Sequence, residues 1–445
     1  MRNALFSLRE AYQHILACGR PGAGKTSFLT PIQRQLLSQG AFCLHCCVKP
    51  NEAWRAEQLL ASTRKVAKRF SPESGYIFNP LTFELGRKGG SARSLAAFHT
   101  DLNEVITRSD AERSESFWKS GEVDTLGTAF DLVYLVKGEK ATYRDALDVI
   151  MTSPLDLAHA RSDAFRGGAC GQFLRQALQQ HPEKARPLAE FLLKRLPSVG
   201  DKARGAFVTQ AATSIQPFTI PPLCQAVNGV SNLTPERMLE DYTILAFDTL
   251  TYGPNGTALQ LLVSWFCMEA CLRREHWERP FLLVRDEYHQ LVHSRRDVQA
   301  LSVGRSQGLI SLAAFQSLPV LEDSLGAGIE AQTQARALMG LHVNKIWCNN
   351  NCHVTNEYAA QSLGMERKLF FSGQTPSNNS EQLAWWDVFG VGQTPNTSFS
   401  QQYHFRVEPQ RYLDLRTGGP ENDFLVDAIV HRGTHDYEIV TLRQR

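Results

Sequence analysis

Gly19-Arg20-Pro21-Gly22-Ala23-Gly24-Lys25-Thr26 follows the apolar run Ile15-Leu16-Ala17-Cys18 and leads into Ser27-Phe28-Leu29-Thr30, with Ile32 and Leu36-Leu37 continuing at helical spacing. The order is strand, glycine-rich loop, helix. Glycines at 19, 22 and 24 let backbone N–H groups turn inward around phosphate oxygens, and the helix that follows presents its positive dipole end to the same point. Lys25 is expected to reach the β- and γ-phosphates of a nucleotide, and the Thr26 hydroxyl to ligate Mg²⁺. Gly19 through Ser27 are therefore the expected binding residues for ATP with Mg²⁺.

A second run, Ala41-Phe42-Cys43-Leu44-His45-Cys46-Cys47-Val48, has the length and near-continuous apolarity of a parallel strand covered on both faces. Further runs of this kind are Tyr242–Phe247, Phe281–Val284, Leu309–Phe315 and Val343–Trp347, separated by helical segments. Asp286 and Glu287 follow Phe281–Val284, directly after Arg285, so both carboxylates are expected at the carboxyl edge of the sheet, beside the glycine-rich loop. There Asp286 can hold the Mg²⁺ shell and Glu287 can polarise an attacking water as general base. Gln316 stands just beyond Phe315, at a strand tip where an amide can orient water or sense the nucleotide; it can also serve as a polar strand-end cap. Arg305, in Gly304-Arg305-Ser306-Gln307-Gly308, ends the helix before that strand, and on spacing alone it compensates the helix dipole.

From about Ser94 to Phe218 strand candidates nearly vanish. Leu126, Phe130, Val133 and Val136 recur at helical spacing, and Thr142 with Asp145 reads as a capping box. The simplest organisation is α/β: a parallel sheet built from residues 1–93 and 219–445, interrupted by an all-α insertion over residues 94–218. Residues Ser372 to Ser400 are rich in Ser, Thr, Asn, Gln, Gly and Pro, as an exposed loop would be. A short β-rich tail, Phe424 to Thr441, closes the chain, and no internal repeat is evident.

With 43% apolar and 21% charged residues among 445, the chain can bury one large core or two moderate ones. Its 47 basic and 45 acidic side chains nearly cancel, so contact with a polyanion must be local rather than driven by a global field. Clusters such as Arg64-Lys65 with Lys68-Arg69, and Arg87-Lys88, read as solvated helix faces or loops. The ten cysteines come without a signal-peptide pattern, which favours reduced thiols in a cytoplasm. Cys43, Cys46 and Cys47 with His45 alternate between the two faces of a buried strand and cannot converge on one tetrahedral ion; Cys348, Cys352 and His353 form a looser group that also reads as core thiols, so no structural metal is expected. The longest apolar stretch, Leu259 to Leu272, is interrupted by Gln260, Ser264 and Glu269 and is shorter than the roughly 20 residues that span a bilayer.

Taken in order, the motifs resemble those of the TraD/TraG-type coupling ATPases of conjugation and type IV secretion, within the FtsK/HerA group of hexameric DNA motors. Lys49-Pro50-Asn51-Glu52 resembles the family's Asp-Pro-Lys-Gly-Glu strand ending, and Phe78-Asn79-Pro80-Leu81 its Asn-Pro-Leu. Phe117-Trp118 resembles the opening of a helix in the family's all-α domain, and Gly205 to Phe218 the stretch that returns to the sheet. Asp286-Glu287, Gly304-Arg305-Ser306-Gln307-Gly308 and Phe315-Gln316-Ser317 follow at the family's spacing. Asn350-Asn351-Cys352-His353-Val354-Thr355, followed by Leu363-Gly364, resembles its Asn-Asp-Pro-x-Thr, with Cys352 in place of the aspartate. Arg285 departs from the pattern by interrupting the apolar strand before Asp286. The family's amino-terminal transmembrane pair is also missing from the roughly eighteen residues before Gly19.

The resemblance implies a RecA-like P-loop NTPase sheet, hydrolysis of ATP, and a homo-oligomer, hexameric in the family, in which Arg305 acts as an arginine finger in a neighbouring subunit and Gln316 senses the nucleotide. It implies single- or double-stranded DNA, or a nucleoprotein, as the cargo; with the anchor pair missing, the motor is expected either to be recruited to an inner-membrane complex through secretion-system or membrane-complex proteins or to work wholly in the cytoplasm. An ATP-gated receptor that hands protein substrates to a secretion machine is the alternative. A nucleotide kinase fits less well, because the Asp-Glu pair and an arginine acting in trans suit water attack on ATP better than transfer to a small acceptor.

Overall fold

The computed structural model describes residues 5–107, 116–374, 396–433 and 437–444. Its eleven strands are β1 (Ile15–Cys18), β2 (Phe42–Cys46), β3 (Lys68–Phe70), β4 (Tyr242–Leu245), β5 (Phe281–Asp286), β6 (Leu309–Phe315), β7 (Asn344–Trp347), β8 (Met365–Gln374), β9 (Asn396–Phe405), β10 (Leu425–Arg432) and β11 (Glu438–Arg443). Nine of them form one sheet in the order β11-β10-β7-β1-β6-β5-β2-β4-β3. From β7 to β3 every pairing is parallel, while β10 and β11 add an antiparallel hairpin at one edge. The central strands β1 and β6 are buried along their whole length, which is why they read as nearly unbroken apolar runs. Ile15 and Ala17 pack in one layer with Phe28 and Ile32 of the helix Lys25–Ser38, while Leu16 and Cys18 point into the other. Cys43 and Cys47 likewise face one layer and Cys46 the opposite one.

Between β3 and β4 the described residues form helices and no strand. The capping box at Thr142 is present: Asp145 N donates to Thr142 Oγ1 at 3.2 Å, and Thr142 N donates to Asp145 Oδ2 at 3.1 Å. The helical region has no separate core. Phe98, Phe130, Tyr143 and Phe218 belong to the same buried cluster as Phe70 on β3, Leu245 on β4 and Leu283 on β5. No helix among the described residues is long and apolar enough to cross a membrane.

Three expectations from the sequence need correction. Lys68-Arg69 is neither a helix face nor a loop but the start of edge strand β3, with Phe70 fully buried, Lys68 paired to Asp241 and Arg69 3.7 Å from Glu57. Residues 372–374 and 396–400, expected in a loop, are the ends of the antiparallel ribbon β8-β9; the remainder of that segment, 375–395, lies outside the described residues. The polar composition there hides a ribbon because each strand pairs only with the other, so neither needs an apolar face on both sides.

The third correction concerns Arg285, which continues β5 instead of breaking it. Its side chain is fully buried: Nη1 donates to Asp297 Oδ1 at 2.5 Å and to Leu291 O at 3.1 Å, and the guanidinium lies 4.4 Å from the Tyr288 ring centroid. Burial alone would depress the guanidinium's pKa, but the Asp297 charge outweighs it and holds the value above the ordinary one. Asp297 belongs to the helix Ser294–Gly304. On the same helix Arg296 donates to Asp101 at 2.7 Å and Glu269 at 3.3 Å and stacks 3.6 Å from the Phe98 ring centroid, joining it to the helix Ala92–Thr107. Asp101, Glu104 and His293 bring three metal-capable groups together nearby, and Lys119 already bonds both carboxylates at 3.2 and 2.8 Å.

Asp297→Ala strands a buried guanidinium, and it is expected to destabilise the fold by about 3–5 kcal/mol. Urea unfolding checks this; a loss well below that range would mean that Arg285 finds another partner or water.

Candidate nucleotide-binding and hydrolysis site

The parallel strands end level with one another. Cys18 at the tip of β1 is in register with Phe315 on β6 and Trp347 on β7, so the chain leaves β1 between two neighbours. Gly19 N donates to Phe315 O at 3.3 Å, and Arg20 N to Asn349 O at 3.0 Å. A Cβ on Gly19 would come within 2.7 Å of Cys348 Cβ, so the loop can start only with glycine. Gly22 and Gly24 have φ of 77° and 81°, and a Cβ on Gly24 would also collide with Val426 at the start of β10. The helix Lys25–Ser38 then begins with its free N–H groups facing the loop.

Lys25 is buried, with Nζ donating to Gly19 O at 2.7 Å and Arg20 O at 3.3 Å, inside the curve of the loop. Thr26 Oγ1 donates to Asp286 Oδ2 at 2.9 Å. Two hard oxygen ligands at that separation, on a hydroxyl and a carboxylate, suit Mg²⁺. Burial, with the adjacent Glu287 charge, pushes the Asp286 carboxyl above its usual range against the Thr26 hydrogen bond, a state that a cation at this point would reverse.

Glu287 leaves β5 with φ 130° and ψ 53°, a backbone rare for any residue but glycine, which costs about 1–3 kcal/mol and marks a held conformation. Its N–H still donates to Ala314 O at 3.2 Å. Glu287 Oε1 accepts from Lys49 Nζ at 2.5 Å, Oε2 accepts from Gln316 Nε2 at 3.2 Å, and His289 lies 3.7 Å from Oε2. Burial pushes Glu287 up, yet the hydrogen bond and charge of Lys49, with Gln316 and His289, outweigh it and hold the carboxyl below the usual range. A third carboxyl, Glu52, accepts from Val48 N at 2.7 Å and Lys49 N at 3.1 Å; burial, helped by Asp286, pushes it up to about 7.

Gln316 is held in turn by the segment after β7. Asn350 Nδ2 donates to Gln316 O at 3.0 Å, and Asn356 Nδ2 to Asn350 O at 2.8 Å. Thr355 Oγ1 accepts from Leu318 N at 2.9 Å. Cys352, which departs from the family's aspartate, contributes its N–H to Asn350 Oδ1 at 3.0 Å, so the backbone at that position and not its side chain holds the buttress.

The structure thus brings Gly19 to Ser27, Asp286, Glu287 and Gln316 to one sheet edge. Arg305 lies elsewhere. It sits exposed before Leu309, at the opposite end of β6, and seven extended residues separate the two ends by roughly 20 Å. Four further residues enter the site that the sequence reading did not assign to it: Lys49, Glu52, Asn349 and Asn350. Asn349 Oδ1 accepts from Arg20 Nε at 2.7 Å, and its amide donates to Leu413 O and Leu415 O at 2.8 Å, tying the loop to the carboxyl-terminal segment.

A mostly parallel sheet with a glycine-rich loop at its carboxyl edge and an Asp-Glu pair two strands away defines the RecA-like P-loop NTPase class. No family model matches the sequence, and no curated protein matches it. Among solved structures the chain has the fold of TrwB. The unbound monoclinic form of the bacterial conjugative coupling protein TrwBdeltaN70 is 15% identical, covers 100% of this chain and 90% of its own, and superposes with a TM-score of 0.65. TrwB with the non-hydrolysable ATP analogue ADPNP is 17% identical over 98% of this chain and 87% of its own, at 0.65. TrwB with ADP and Mg²⁺ is 16% identical over 98% and 86%, at 0.64.

Proposed function

We propose that this chain is an ATP-hydrolysing motor of the conjugative coupling kind, which acts as an oligomer, in the family a hexamer, on DNA or a nucleoprotein. The observation that carries the reading is the meeting of Thr26 with Asp286 across 260 residues of sequence, at the edge where Lys25 and Glu287 converge. The nucleotide and Mg²⁺ complexes of TrwB support the same ligands here. Gly19 to Ser27 would wrap the phosphates, and Thr26 and Asp286 would hold Mg²⁺, which when bound neutralises charge on the β- and γ-phosphate oxygens. Glu287, fixed by its backbone and by Gln316, takes the proton of the attacking water. Residues 94–218 form the inserted unit in this reading, and recruitment to an inner-membrane secretion complex runs through protein partners.

Glu287→Gln keeps the size and one hydrogen bond but removes the base, so it is expected to bind ATP and to lower turnover by about 10²-fold or more. A filter-binding assay beside a phosphate-release assay checks both halves; parent-like release would remove Glu287 from this role. The motor reading is tested by titrating ATPase activity with defined single- and double-stranded DNA. Stimulation by either is expected, whereas stimulation by a protein substrate with none by DNA would favour the ATP-gated receptor.

A further inference from the structure

We propose that Lys49 is a positioning residue that restrains the Glu287 carboxylate and releases it by swinging to Glu52. The inference rests on the reading of Glu287 as the base and adds a control element to it.

Three observations carry it. The first is where the cation sits: Lys49 Nζ is 2.5 Å from Glu287 Oε1 and 3.8 Å from Glu52 Oε1, so one ammonium faces two carboxylates. Secondly, the two carboxylates are fixed and the cation is not. The side chains of Glu287 and Glu52 are 8% and 9% exposed, against 47% for Lys49, whose four-carbon stem turns freely at its end. Glu287 is further pinned by its left-handed backbone and by Gln316. The third is the division of labour within Glu52. Its Oε2 takes both backbone donors, Val48 N and Lys49 N, which leaves Oε1 facing Lys49 as a second seat.

With Lys49 on Oε1 and Gln316 on Oε2, both oxygens of Glu287 are engaged, and the lone pairs it can turn toward water are those of a carboxylate already neutralised by a cation. Such a group is a poor proton acceptor. With Lys49 on Glu52, Glu287 keeps the Gln316 amide on Oε2 and the His289 ring 3.7 Å from the same oxygen, and Oε1 is freed of the ammonium. The move shifts the ammonium by little more than a bond length between two groups that do not themselves move, so a change in the charge around the site is enough to bias it. Asp286 and Lys25 stand beside the pair and do not change partners in either arrangement.

Steady-state ATP hydrolysis by the full chain tests the idea through a set of variants. Lys49→Met and Lys49→Ala are expected to raise kcat by about threefold to tenfold with KM for ATP unchanged, while Lys49→Arg stays near the parent. Glu52→Gln removes the second seat, so it lowers kcat, and adding Lys49→Met to it restores kcat to the parent level or above. The gain from Lys49→Met is absent when Glu287→Gln is already present. A fall in kcat or a rise in KM in the Lys49 variants overturns the restraint, because the ammonium is then a nucleotide ligand. An unrelieved loss in Lys49→Met/Glu52→Gln overturns it too, since Glu52 then only caps its helix. Parent-like hydrolysis by Glu287→Gln alone identifies a different failure: the base is misassigned, and the restraint falls with it.

Discussion

Lys25→Ala protein is expected to hydrolyse ATP on the order of 10³-fold more slowly than the parent and to bind it more weakly. The ammonium lies inside the curve of the loop, bonded to Gly19 O and Arg20 O. Phosphate oxygens drawn into that curve by backbone N–H groups would meet two carbonyl oxygens without the charge that separates them. Alanine at the first turn of the helix costs nothing in propensity, so folding should survive. Isothermal titration with a non-hydrolysable analogue and phosphate release together measure the two effects. Hydrolysis at the parent rate would mean that the glycine-rich loop is not the catalytic phosphate site.

Arg305→Ala is expected to leave ATP binding intact and to lower turnover by about 10³-fold or more, the usual effect of losing an arginine finger. Arg305 stands at the far end of β6 from its own chain's loop, so within one chain it cannot reach a γ-phosphate. Any catalytic role must be exercised on a neighbour's nucleotide. Mixing Arg305→Ala with Lys25→Ala subunits should then restore part of the activity, because a boundary with Lys25 from one chain and Arg305 from the other is intact. Turnover that stays absent in mixed assemblies, or full activity in a verified monomer, would leave Arg305 as a helix-terminal charge and remove the main mechanistic ground for a ring.

How much of this was legible beforehand followed from how each strand is covered. β1 and β6 were read to the residue because both faces are buried and nearly every position is apolar, Ser311 being the one polar residue in the two strands. β3 escaped notice: with three residues and a partner on one side only, it needs just Phe70 inside. The site divided along a similar line. Gly19 to Thr26 and Gln316 sit directly after an apolar run, and Asp286 and Glu287 one residue beyond another, so their place at the carboxyl edge could be read locally. Lys49 also follows such a run, but its meeting with Glu287 depends on β2 lying beside β5, and strand order is not written in any local pattern. Arg285 misled the reading because its charge is cancelled by Asp297, twelve residues further on and one element away.

That buried pair has a mechanical side. Asp297 fastens the helix Ser294–Gly304 to the strand that carries Asp286, Arg296 fastens the same helix to the helical region through Asp101 and Phe98, and its far end delivers Arg305. Eleven helical residues make a rod of about 16 Å, stiff over that length. In the proposed ring such a rod would work as a rocker arm, joining the helical region, the strand that carries Asp286 and the guanidinium offered to a neighbour in one stiff piece.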